Sequence, residues 1–90
     1  MSLPEGSIGD VYPNPFNPSA ILPLNVDQAV NVKISLYDIL GQKRRDIVSG
    51  LYEKGDHSIS IDASDLPSGA YVLHVQMGSS MQTQKIILSK

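Results

Sequence analysis

Residues 30–36, VNVKISL, alternate without a break. Val30, Val32, Ile34 and Leu36 share one parity; Asn31, Lys33 and Ser35 take the other. Successive side chains of a strand point to opposite faces, so this segment is an antiparallel strand with one face in a core and one in water. The same period recurs along the chain, and helical spacing of apolar residues is nearly absent. HSISID at 57–62 sets His57, Ile59 and Ile61 against Ser58, Ser60 and Asp62. AYVLHVQM at 70–77 puts Tyr71, Leu73, Val75 and Met77 on one face, and MQTQKIIL at 81–88 supplies the last strand.

The turns between these segments carry their own chemistry. In Asp38-Ile39-Leu40-Gly41-Gln42, Asp accepts backbone amides and Gly accepts positive φ, which predicts a hairpin loop. Lys43–Val48 then returns as a polar outer strand. Ser49-Gly50 and Lys54-Gly55-Asp56 punctuate the next connection, DASDLPSG at 62–69 is a loop or short helical turn, and Gly78-Ser79-Ser80 makes a tight turn. Upstream, residues 8–12 are expected as a first strand and SAILPLNV at 19–26 as a second. Pro23 removes a ladder donor, which assigns that second strand to a sheet edge or to a bulge. Six or seven short alternating strands separated by turn signals predict an all-β, immunoglobulin-like antiparallel β-sandwich of about seven strands. No Cys…Trp…Cys pattern accompanies it, so an antibody domain is excluded.

Ninety residues make one domain, and 41% hydrophobic content supplies a core. Residues 1–8 read as a leader and linker remnant, leaving a domain over 9–90 that belongs to a longer protein. Cysteine is absent, so no disulfide framework or thiolate metal site exists. The net charge of −2 offers no global basic field for nucleic acid. No apolar run approaches the ~18 residues of a membrane span.

Catalytic residues are not assigned. Gly78-Ser79-Ser80 is a hairpin turn and not a nucleophile elbow. His57 and His74 lie on different strands and read as structural or solvated, because a catalytic or metal role needs converging partners. Asp62 and Asp65 offer too few oxygens for calcium and read as turn or capping groups. Lys43-Arg44-Arg45 is the one basic run, diluted by Asp38, Asp46 and Glu53, and reads as a solvated strand. No metal, cofactor or small-molecule substrate is expected. Tyr71 follows the turn Leu66-Pro67-Ser68-Gly69 and opens the penultimate strand. A tyrosine at that corner of such sandwiches bonds the upstream backbone through its hydroxyl.

YPNPFNPS at 12–19 reads first as a linker or a PxxP ligand. Proline pushes the residue before it to extended geometry, so Tyr12, Asn14 and Asn17 are expected in a rigid extended lead-in. The two asparagines are expected to bond nearby backbone, with Tyr12 and Phe16 dropping onto the sandwich rim.

The order of motifs is more specific than any one of them. Tyr12-Pro13-Asn14-Pro15-Phe16-Asn17-Pro18 is followed by Tyr37-Asp38 and Gly41. Then come Gly55, His57, Asp62, Leu66, Gly69 and Tyr71 in the pattern GxHxxxxDxxxLxxGxY, and a last strand ending in lysine. Over residues 9–90 this series strongly resembles the type A C-terminal sorting domain of the type IX (Por) secretion system. It is also similar to the immunoglobulin-like domain of the flagellar hook-capping protein. Ile61 departs from the pattern, since the family often has an aromatic before the Asp, and Pro23 is less usual.

The resemblance implies a non-catalytic domain at the C-terminus of a larger secreted protein. Secretion-machinery proteins would read it after transit through the periplasm, followed by release or attachment at the cell surface. Its remaining partner would be the parent protein's upstream domain. The family's recognised surface falls on the strands holding Gly69 and Tyr71 and on Lys85, Ile86, Ile87, Leu88 and Lys90. Lys85–Lys90 matches the usual family ending, so the family's C-terminus is expected here. The last strand is the best recognition element, because an edge strand offers unpaired backbone to a partner sheet; its rival role is simply to complete the sandwich. Two other functions stay open: a structural or accessory module of a secreted or surface enzyme, and carbohydrate binding through Tyr37 and Tyr52.

Overall fold

The computed structural model describes residues 6–90. It contains seven strands in two antiparallel sheets and no helix among those residues. They are β1 (Gly6–Ile8), β2 (Ser19–Val26), β3 (Val30–Asp38), β4 (Lys43–Tyr52), β5 (Gly55–Asp62), β6 (Gly69–Met77) and β7 (Ser80–Leu88). One sheet runs β1-β2-β5 and the other β4-β3-β6-β7. The chain therefore crosses between sheets after β2, after β4 and after β5, and the two sheets close on one core as a β-sandwich.

Alternation decides which side chains enter that core. Val32, Ile34 and Leu36 of β3 and Tyr71, Leu73, Val75 and Met77 of β6 are buried, as are Leu22, Leu24, Ile59 and Ile61 of the facing sheet. Each such aliphatic contributes about 1.5–3 kcal/mol on burial, and no single one dominates. Ile86 and Leu88 extend the pattern into β7. Loop residues Ala63 and Leu66 close one end.

The hairpin between β3 and β4 forms as its residue types require. Asp38 Oδ1 accepts the amides of Leu40 (2.9 Å) and Gln42 (3.0 Å), and Gly41 sits at φ +84°. That left-handed region is open to glycine without steric cost. β4 continues through Ser49-Gly50 to Tyr52, beyond the expected stop at Val48. Pairing with β3 overrides the turn signal, since Val30–Lys33 of β3 match Tyr52–Ser49 residue for residue. Two register shifts, between Ile34 and Ser35 and between Leu36 and Tyr37, interrupt the ladder farther along.

The N-terminal region departs further from expectation. β1 is Gly6–Ile8, paired with Val26–Leu24 of β2, in place of a strand over 8–12. Residues 1–5, the rest of the leader reading, lie outside the described residues. β2 is central in its sheet and not at an edge. The missing N–H of Pro23 is accommodated because β1 ends beside it. Gly9 donates its amide to the Pro23 carbonyl (2.9 Å), and the next exchange, between Tyr12 and Ile21 (3.0 and 2.8 Å), comes after an irregularity. Asp10 and Val11 lie between those two points opposite Leu22 alone, which is a bulge. Gly9 also fits closely there, since a Cβ would stand 3.2 Å from the Pro23 ring and would need that ring to give by a few tenths of an ångström.

Candidate recognition surface

Four motif segments meet at one end of the sandwich. The register sets Asp62 opposite Ser19 in the three-stranded sheet, and Asp38 opposite Tyr71 and Gly69 opposite Leu88 in the other. Residues 12–18, the Asp38–Gly41 turn, the 62–69 loop and the end of β7 therefore share this pole. His57 lies toward the opposite end, paired with Leu24, with Nε2 2.8 Å from the Glu53 carbonyl.

The lead-in over 12–18 is a strap rather than an extended rod. It bends at 13–15 and again at 17–18, and its three X-Pro bonds are cis. Phe16 enters the core (1% exposed), whereas Tyr12 stays out (55%). Tyr12 pairs with Ile21 through its backbone, which puts neighbouring Val11 inward and the tyrosine ring outward. Its expected place on the rim is thus taken by Val11.

The strap lies along the outer edge of β7. Phe16 donates its amide to the Ile87 carbonyl (2.9 Å), and Ser89 donates its amide to the Phe16 carbonyl (2.9 Å). Asn14 Oδ1 accepts the Ile87 amide (3.0 Å), while its Nδ2 reaches the Lys85 carbonyl at 3.5 Å. Asparagine does here what an Asx-turn would do locally, but toward a strand more than seventy residues away. The expected unpaired backbone of the last strand is therefore covered over its final third.

Two glutamines of β7 extend this seam. Gln84 Oε1 accepts the Val11 amide (2.7 Å), and Nε2 donates to the Gly9 carbonyl (3.2 Å). In a regular pair the Gly9 carbonyl would take its hydrogen bond from residue 23, which as proline has none to give. Gln84 supplies that donor from the opposite sheet. Gln82 reaches the Gly6 carbonyl at 3.5 Å. Neither glutamine was singled out by the sequence reading. The available signal was their parity, which matches buried Ile86 and Leu88, where a polar group needs a partner.

The 62–69 loop ties the pole together. Asp62 Oδ1 accepts the Ser64 amide (3.0 Å), and Ala63 donates its amide to the Pro18 carbonyl (3.0 Å). The Tyr71 hydroxyl donates to the Pro67 carbonyl at 2.5 Å, the corner bond expected from sequence. Lys90 donates its amide to Ser68 Oγ (3.0 Å) and its ammonium to the Ser64 carbonyl (2.6 Å).

Arg45 crosses from β4 to the Asp62 carbonyl and to both oxygens of Asp65. Its register opposite Leu36 places it on the inner parity at the sandwich rim, so one member of the basic run is a clamp between sheets. The Arg45 hydrogen bond holds the Asp65 carboxyl below its ordinary pKa. Asp46 is likewise held low, first by the Ser35 hydroxyl (2.9 Å) and then by Lys43.

Of the residues carried over as export recognition, Tyr71, Ile86 and Leu88 face the core. Gly69, Lys85 and Lys90 are exposed and Ile87 is half-buried, so these four present the pole to solvent. The aromatics invoked for carbohydrate do not form a platform. Tyr37 stacks on His74 (centroids 4.2 Å, tilted 37°) on the outer face, and Tyr52 meets His57 edge-on at 5.1 Å elsewhere. Among the described residues no group of three His, Cys, Asp or Glu could hold a metal, and no helix is long and apolar enough to cross a membrane.

A family described as "Secretion system C-terminal sorting domain" matches residues 10–89. No curated protein and no solved structure matches the chain.

Proposed function

The chain belongs to the type IX secretion-system C-terminal sorting domain family, and from that membership we propose that it is a non-catalytic address carried by a larger exported protein. The domain folds in the periplasm, presents its motif pole to the secretion machinery, and directs the parent to release or attachment at the cell surface. The observation that carries this reading is convergence. Asn14 and Phe16 of the strap, Ser64 and Ser68 of the loop and Lys85–Lys90 are bonded into one surface. A receptor that binds this pole reads several distant motifs together, which a lone tail peptide could not offer.

In this proposal Lys85 and Lys90 make the direct contacts, with Gly69 and Ile87 beside them. Tyr71, Ile86, Leu88, Phe16 and Leu66 act by holding the pole's shape. Fusion of residues 9–90 to a periplasmic reporter, in a host with this system, tests the reading. The fusion is expected outside the cell. Truncation after Gln84 abolishes export but also removes core residues, so Lys85→Glu with Lys90→Glu carries the test. Those surface changes are expected to strand a folded reporter in the periplasm. A folded, unmutated fusion that stays in the periplasm would instead favour an accessory module.

A further inference from the structure

The sheet edges of this domain are not treated alike. Among the described residues β1 has three, and β5 carries Asp56, His57 and Asp62 along its length. β4 begins Lys43-Arg44-Arg45-Asp46 and is broken by two register shifts. Short length, charge and bulges are the devices by which proteins keep an edge from pairing with another chain. The strap covers the end of β7. Its first part, Ser80–Gln84, has none of these protections: SMQTQ is uncharged, contains no proline, and pairs with β6 without a shift.

The direction of the open groups follows from the strap. Ile87 turns its amide and carbonyl outward, to Asn14 and Phe16. Residues two apart in a strand share that direction, so Met81, Thr83 and Lys85 also turn theirs outward. Among the described residues no hydrogen bond reaches the backbone of Met81 or Thr83 from that side. Their side chains are exposed on the outer face, as is that of Lys85.

We propose that Met81–Lys85 is a strand-addition site that takes an extended segment of the secretion machinery. This rests on the sorting function proposed above. The partner segment is uncharged where it runs beside Met81 and Thr83 and acidic opposite Lys85. Main-chain pairing supplies affinity, and alternate side chains supply selectivity. The open edge ends at Lys85, where the recognition pole begins, so a receptor gripping the pole is placed to run a strand along it. A second copy of this domain is disfavoured by size. Five residues span about 17 Å, and two sandwiches meeting along so short a line fall well below the roughly 1,000 Å² of a stable interface.

Thr83→Pro removes one outward amide and leaves the β6 ladder intact, because proline is tolerated where its N–H would face away from the sheet. Export of the reporter fusion is expected to fall at least tenfold while the urea midpoint is kept. Export within twofold of the unmutated fusion would overturn the proposal. Should the proline variant fail to fold, Thr83→Lys carries the same expectation by charging the edge. A photo-crosslinking residue at position 83 during export is expected to join a secretion component, and one at exposed Ser60 on β5 is not. Adducts only at twice the chain mass, or none, would refute the assigned partner. A stranded unmutated fusion would count against the sorting function itself, whereas equal export of unmutated and Thr83→Pro fusions counts against the strand site alone.

Discussion

Gln84→Met tests the seam between the two sheets most directly. Methionine keeps the length of the side chain and its fit, and loses both hydrogen bonds. The Val11 amide (2.7 Å) and the Gly9 carbonyl (3.2 Å) are then left without their partner. An unmet buried polar group costs about 1–3 kcal/mol. Both bonds are only partly buried, so water recovers part of that, and a net loss of about 2 kcal/mol is expected. For a domain of this size the melting temperature falls by roughly 8–16 °C.

A double-mutant cycle with Pro23→Ala separates the mechanism from simple packing. Alanine restores the amide that the Gly9 carbonyl lacks. In that background Gln84→Met is therefore expected to cost about 1 kcal/mol less. Urea denaturation of the four proteins, with unchanged m-values, reads the result. A Gln84→Met cost below about 0.5 kcal/mol would mean that water serves both groups. A coupling near zero would refute the argument that glutamine replaces the donor proline cannot supply.

Tyr71→Phe removes the hydroxyl bonded to Pro67 and is expected to lower stability by about 1 kcal/mol; an unchanged denaturant midpoint would contradict it. Phe16→Ala is expected to cost about 3–5 kcal/mol, and to speed amide exchange at Ile87 and Ser89, which the strap partners directly or through Asn14. The Asp65 carboxyl has a folded pKa depressed by Arg45, so its contribution is present above the unfolded pKa and disappears as pH falls through the lower, folded value. The stability difference between the unmutated protein and Asp65→Asn should accordingly hold at neutral pH and vanish in titrations carried well below the ordinary value of 3.8. A difference that persists there would assign the clamp to shape and not to charge.

Strands were the most legible part of this chain because their signal is local. VNVKISL and AYVLHVQM state which face is buried, and β2 begins and ends where its composition changes. The Asp38 turn and the Tyr71 corner were equally readable, since each depends on groups within four residues of one another. Failures came where a partner lay far away in sequence. Ser49-Gly50 reads as a break, but β3 supplies a template that carries β4 through it. Pro23 reads as an edge residue, but the edge it creates is only as long as the gap left by β1. Tyr12 and Phe16 look alike as candidates for the rim, and only the pairing of Tyr12 with Ile21 separates them.

The candidate surface divides in the same way. The sequence by itself determined the fold class, the inward face of nearly every strand and the family, because periodicity, turn chemistry and motif order are properties of neighbours along the chain. Only the tertiary structure decided that Asn14 of the strap bonds the last strand, that Gln84 completes a ladder interrupted by Pro23, and that Arg45 spans two sheets. Those bonds join residues from 17 to more than 70 positions apart. Their formation depends on which edges two packed sheets bring together, and hydrogen bonds act only over about 3 Å. No local pattern carries that information.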